Sequence, residues 1–102
     1  MELNITSKKE FDEKIKQGKI LVDFYALWCG PCGMLAPLVE KLSEEHTEIT
    51  VIKVNVDEAP EIAAQYNIYS IPTLLLFEEG ELKKTQVGYL PEASLKRFAE
   101  VE

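Results

Sequence analysis

The chain has 102 residues, enough to enclose one hydrophobic core, and reads as a single domain over 1–102. With 46% apolar and 28% charged residues it has the composition of a soluble globular protein. A formal net charge of −7, with no basic run longer than a pair, excludes a nucleic-acid or anionic-membrane surface, and no apolar stretch is long enough to span a bilayer.

The N-terminal stretch MELNITSKKEF has no apolar centre of the kind a signal peptide needs, so the cytosol is the expected compartment. Leu3 to Ile5 offers a short first strand. Ser7 and Glu10 form a capping-box pattern, Phe11 and Ile15 follow at helical spacing, and Gly18 suits a stop; together they predict a helix over 8–17. Ile20 to Ala26 is almost wholly apolar, the mark of a strand covered on both faces. Trp28 to Pro37, WCGPCGMLAP, then holds two prolines, two glycines and both cysteines, yet Leu35, Leu38, Val39 and Leu42 continue it as a helical stripe. Ile49 to Val56 is rich in β-branched residues and predicts a second buried strand. Asp57 to Ile68 reads as a short helix with Asp57 as its cap and Pro60 in its first turn. Two strands flank the glycine turn at Glu78–Gly80 and should pair antiparallel, and a helix from Pro91 with Leu95, Phe98 and Ala99 inward closes the chain. The alternation predicts an α/β sandwich of three layers, helices on both faces of a mixed sheet of about five strands with four helices.

Cys29 falls where strand gives way to helix, and Cys32 lies one turn further on. The first N–H groups of a helix are unpaired and its dipole is positive there, so a thiolate at Cys29 is stabilised. The thiolate is the attacking species, and such sites bring a cysteine pKa from about 8.5 into roughly the 3.5–7.5 range. Pro31 is tolerated in a first turn and restricts the segment between the sulfurs, while Gly30 lets another backbone approach. Such a dithiol can open a substrate disulfide through a mixed-disulfide intermediate. Two alternatives compete with this reading. A zinc half-site needs two more ligands, and the only histidine, His46, lies in a polar segment; a structural disulfide closing so short a loop constrains little of the unfolded chain. In the expected compartment a permanent disulfide would also be unusual.

The segment VDFYALWCGPC resembles the active-site segment of the thioredoxin family, with Pro37, IPT at Ile71–Thr73, FEEGE at Phe77–Glu81 and VGYLP at Val87–Pro91 in matching places. The pairing of CxxC with a βαβ pattern is a general association with that redox motif. The resemblance implies the thioredoxin fold and a protein-disulfide reductase, a dithiol electron carrier with no bound cofactor, working as a monomer. Its partners would be disulfide-containing proteins and a thioredoxin reductase, typically a flavin enzyme fed by NADPH, or in some anaerobes and phototrophs one fed by ferredoxin, a choice the sequence leaves open. An oxidase or isomerase of disulfides is a rival; Gly-Pro between the cysteines and the missing signal peptide favour reduction. A second rival is an interaction module on the same fold without redox turnover.

The resemblance makes Cys29 the nucleophile and Cys32 the resolving cysteine. Asp23 interrupts an otherwise apolar strand, where an isolated carboxylate must be paired, hydrated or protonated with a raised pKa. Lys53 interrupts the neighbouring strand with the opposite charge. Packing alone would make them snorkelling residues or an ion pair; the family makes Asp23 a general base for Cys32, assisted by Lys53. It also implies a cis Ile71–Pro72 peptide beside the cysteines, leaving the Ile71 backbone free to pair with an extended substrate. Trp28, Gly30, Pro31, Val87 and Gly88 would complete the substrate groove, whereas Met34, His46, Tyr66 and Tyr69 read as ordinary core or surface. One residue departs from the family: Gly33 stands where lysine or arginine usually follows the second cysteine. Its expected reason is to ease the helix at Pro37, so that lysine there should lower stability.

Overall fold

The computed structural model describes residues 1–102. Its nine elements alternate as β1 (Glu2–Asn4), α1 (Lys8–Lys14), β2 (Lys19–Tyr25), α2 (Gly30–Glu45), β3 (Ile49–Asn55), α3 (Pro60–Gln65), β4 (Thr73–Glu78), β5 (Glu81–Val87) and α4 (Glu92–Phe98). The strands form one sheet in the order β1-β3-β2-β4-β5. β3 runs parallel to both β1 and β2, and β4 is antiparallel to both β2 and β5, so the sheet is mixed as the sequence predicts.

Alternation along each strand sorts the core into two layers. Val22 and Phe24 of β2 enter a cluster with Phe11, Ile52, Ile62 and Phe77, on the side covered by α1 and α3. Leu21 of β2 enters another with Leu35, Val39, Val51, Leu74 and Leu95, on the side covered by α2 and α4. Helices therefore cover both faces, which completes the three-layer arrangement. The β4–β5 hairpin turns on Glu79 and Gly80, both at positive φ (51° and 86°), the pairing that a two-residue turn between right-twisted strands requires.

Three expected details differ. α1 stops at Lys14 rather than running to 17, with Ile15 as its C-cap. Asp57 does not cap α3: the cap position is Ala59, no side chain bonds there, and the helix starts only at Pro60. The proline fixes φ for the first turn without needing the cap, which leaves the Asp57 carboxylate free for another partner. Gly33 also has no steric reason, since a Cβ built there meets nothing within 4 Å. α2 continues past Pro37, and a side chain at position 33 meets open space at its Cβ and gains helix propensity over glycine.

Candidate active site

β2 and β3 end side by side, with Tyr25 opposite Asn55, and the chain leaving β2 turns at once into α2. Cys29 is the N-cap of α2, in extended conformation (φ −94°, ψ 113°), and its sulfur accepts a hydrogen bond from the Cys32 amide at 3.2 Å. The first turn of α2 carries no acidic residue, so no carboxylate competes for the positive end of the helix. Cys29 and Cys32 are paired as a disulfide with their Cα atoms 5.3 Å apart. Cys29 retains 8% exposure and Cys32 only 3%, so Cys29 is the less buried of the two. The pair packs with Ala26 against Tyr25, Val56 and Ile71. No group of three or more His, Cys, Asp or Glu side chains is placed to hold a metal ion.

Asp23 follows Leu21 on the face that α2 and α4 cover, and is fully buried. Neither carboxyl oxygen has a hydrogen-bond partner. Its register partner in β3 is Lys53, whose Nζ lies 3.9 Å from Oδ2 and 4.5 Å from the Tyr25 ring centroid. Burial raises the Asp23 carboxyl from 3.8 to about 6; Lys53 opposes the shift, and the Glu2 charge adds to it. Glu2 lies on β1, and its Oε2 is itself buried without a partner. The Lys53 side chain is only 12% exposed, which rules out simple snorkelling and leaves an ion pair across neighbouring strands.

Around the sulfurs, Ile71–Pro72 is a cis peptide. The Ile71 carbonyl oxygen lies 3.9 Å from Cys29 Sγ, and neither its amide nor its carbonyl joins any backbone hydrogen bond. Pro72 is buried and its carbonyl accepts from the Gly88 amide at 2.8 Å, with Gly88 at φ 100°. Val87 pairs with Thr73 at the end of β5 and is 58% exposed. Gly30 and Pro31 are exposed in the first turn of α2. Trp28 is largely exposed too, and its Nε1 donates to Asp57 Oδ2 at 2.8 Å. Every sequence-predicted site residue thus lies at this end of the sheet or on the strands that lead to it.

Several residues of this surface escaped the sequence reading. Asp57 holds the indole that precedes the reactive cysteine, a contact across 29 residues that no local pattern announces. Leu27 and Met34 are well exposed on either side of the cysteines, and Tyr69 is 89% exposed two residues before Ile71. Apolar residues exposed next to reactive sulfur are the signal that could have marked them.

The geometry defines the class: a thiol–disulfide oxidoreductase whose cysteine pair opens and closes at a helix N-terminus. The comparisons with known proteins agree. The thioredoxin family model matches residues 2–101. The chain is 42% identical to a thioredoxin of Mycoplasmoides gallisepticum over 93% of its own length and 96% of the relative's. It is 49% identical to one of Alicyclobacillus acidocaldarius over 84% of each chain. Among solved structures, a Plasmodium falciparum thioredoxin superposes with a TM-score of 0.89 at 39% identity, covering 95% of both chains. An oxidised mitochondrial thioredoxin of Saccharomyces cerevisiae gives 0.89 at 33% identity, over 96% of this chain and 92% of that one. The chain belongs to the thioredoxin family, and it is a thiol–disulfide redox carrier.

Proposed function

We propose that the protein reduces disulfides in other proteins in the cytosol, with Cys29 as nucleophile, Cys32 as resolving cysteine and Asp23 as the base between the two steps. The observation that carries this reading is the position of Cys29: the less buried of the two cysteines, on the N-cap of α2, with the Cys32 amide pointing at its sulfur. In the reduced protein the Cys29 thiolate attacks one sulfur of the substrate disulfide. A Cys29–substrate bond forms as the substrate bond breaks, and the expelled thiolate takes a proton from solvent. Asp23 then accepts the Cys32 proton, a task suited to a carboxyl near 6, while Lys53 steadies its charge. Cys32 attacks Cys29 Sγ, the protein disulfide closes, and the second substrate thiolate leaves and is protonated. The substrate has gained two protons, one from solvent and one passed from Cys32 through Asp23, and the two electrons that the protein has lost. A reductase partner returns both to the Cys29–Cys32 pair.

Substrate would lie along the open backbone of Ile71, held by main-chain hydrogen bonds as in strand addition. Trp28, Gly30, Pro31, Pro72, Val87 and Gly88 would shape the groove. A coupled assay with NADPH, a thioredoxin reductase and a protein disulfide such as insulin tests the assignment. Wild type should turn over, Cys29→Ser should be inactive, and Cys32→Ser should accumulate a mixed disulfide. Undiminished turnover without either cysteine would sink the reading.

A further inference from the structure

The positive charges of the chain avoid the reactive end of the molecule. There are 11 lysines and arginines, but none between Lys19 and Lys41 and none between Lys53 and Lys83. Those two windows contain the cysteines, Trp28, the loop after β3, α3 and the Ile71–Pro72 turn. The remaining cations are remote or engaged, including Lys96 and Arg97 in the last turn of α4, the end of the helix after which the Glu100 carbonyl accepts from Lys19 at the start of β2. Lys53 is buried against Asp23, Lys41 pairs with Glu92 at 2.7 Å, and Lys83 and Lys84 pair with Glu100 at 3.2 and 3.0 Å. Lys8 and Lys9 follow the edge strand β1 at the same end of the sheet but two strands to the side of β2, and Lys8 pairs with Asp12 at 2.7 Å. Lys14, Lys16 and Lys19 sit at the opposite end, where β2 begins.

What the reactive end exposes instead is apolar or acidic. Leu27, Trp28, Met34, Tyr69 and Val87 are all between 58% and 89% exposed. Beside them stand the exposed carboxylates of Asp57, Glu58 and Glu61. Asp57 touches Trp28 directly, and the charge of Glu58 is felt at the Tyr25 phenol next to the cysteines. Gly33, in the first turns of α2, contributes no side chain where a cation would fit without steric hindrance.

We propose that this surface selects protein disulfides set among apolar residues with lysine or arginine close by, and disfavours those flanked by carboxylates. An apolar centre supplies contact area, while an uncompensated acidic rim attracts a basic partner and repels an acidic one. Because these charges lie in solvent, they act mainly on encounter and fade with salt. The inference rests on the reductase reading above, and it requires the regenerating reductase to present a basic, apolar face of its own.

Matched peptide disulfides test it, identical except for lysine or glutamate on either side of the bond, with the protein kept reduced by dithiothreitol. Each rate is divided by the rate of dithiothreitol alone on the same peptide, which removes the effect of the flanking charges on the disulfide itself. The expected result is a preference in kcat/KM for the basic peptide on the order of three- to tenfold at low ionic strength, shrinking toward one in high salt. The double variant Glu58→Lys/Glu61→Lys should abolish or reverse it, and Gly33→Lys should reduce it, both with unchanged circular dichroism. Equal normalised rates for the two peptides, or a preference unmoved by salt and by these variants, overturn the proposal while leaving the reductase reading intact. No acceleration of either peptide over dithiothreitol overturns the reductase reading itself.

Discussion

Along β2, Val22 and Phe24 enter one side of the sheet among aromatic rings, whereas Leu21 and Asp23 enter the side covered by α2 and α4. On the first side Phe11, Tyr66 and Phe77 meet tilted or edge to face at centroid distances of 5.7 to 6.4 Å, a packing that serves stability. On the second, aliphatic packing is interrupted near the reactive end by a buried carboxyl with no hydrogen bond and one ion-pair partner. The difference teaches where this fold accepts instability. A buried charge is retained on the layer that carries the cysteine helix and is absent from the layer that only supports the sheet.

Mutations on the two layers should therefore separate stability from chemistry. The largest effect belongs to the aromatic side: Phe11→Ala should lose about 3–5 kcal/mol in urea unfolding, with reductase activity per folded molecule unchanged. A matching loss of activity in protein shown to be folded would break the distinction.

Asp23→Asn should behave in the opposite manner. In the folded chain the carboxyl keeps its proton up to about 6, whereas in the unfolded chain it loses it near 3.8. Between those values the native state binds more protons, so this group's contribution to stability falls as pH rises through the window. By pH 8 the accumulated cost is about 3 kcal/mol. The asparagine variant should thus gain on wild type between pH 4 and pH 8 while resolving mixed disulfides more slowly. Stability curves that stay parallel across that range would remove the buried charge from the account.

Lys53→Gln should shift activity without much cost elsewhere. It removes the one positive charge facing Asp23, so the carboxyl should titrate higher and the pH profile of the resolving step should move to alkaline values. An unmoved profile would mean that the pair is structural only. The smallest effect is expected on the helix that covers this charged layer. Gly33→Ala should raise stability by about 1 kcal/mol, because glycine lowers helix propensity there and a Cβ meets open space. A lower melting temperature would restore the idea that glycine eases the helix at Pro37.

Most of the architecture was legible before any coordinate. Apolar runs and helical stripes marked each element, and their alternation announced a mixed sheet between two helical layers. The cysteines, their place at a helix start and the anomaly of Asp23 in an apolar strand were equally visible, because each is a property of a short stretch of chain. The boundary of α1 and the cap of α3 were misjudged, since end residues are decided by competition between neighbouring turns rather than by periodicity.

What the sequence alone determined, then, is the local chemistry: a dithiol on a helix N-terminus, a proline turn elsewhere, and two opposite charges on two buried strands. Only the tertiary structure decided how these meet. Strand register sets Lys53 opposite Asp23, the side-by-side ends of β2 and β3 bring Asp57 to Trp28, and chain folding sets the Ile71 carbonyl against the Cys29 sulfur. These are contacts between residues far apart in the chain. Their geometry is fixed by which strands become neighbours and in what register, and no single stretch of sequence contains that information.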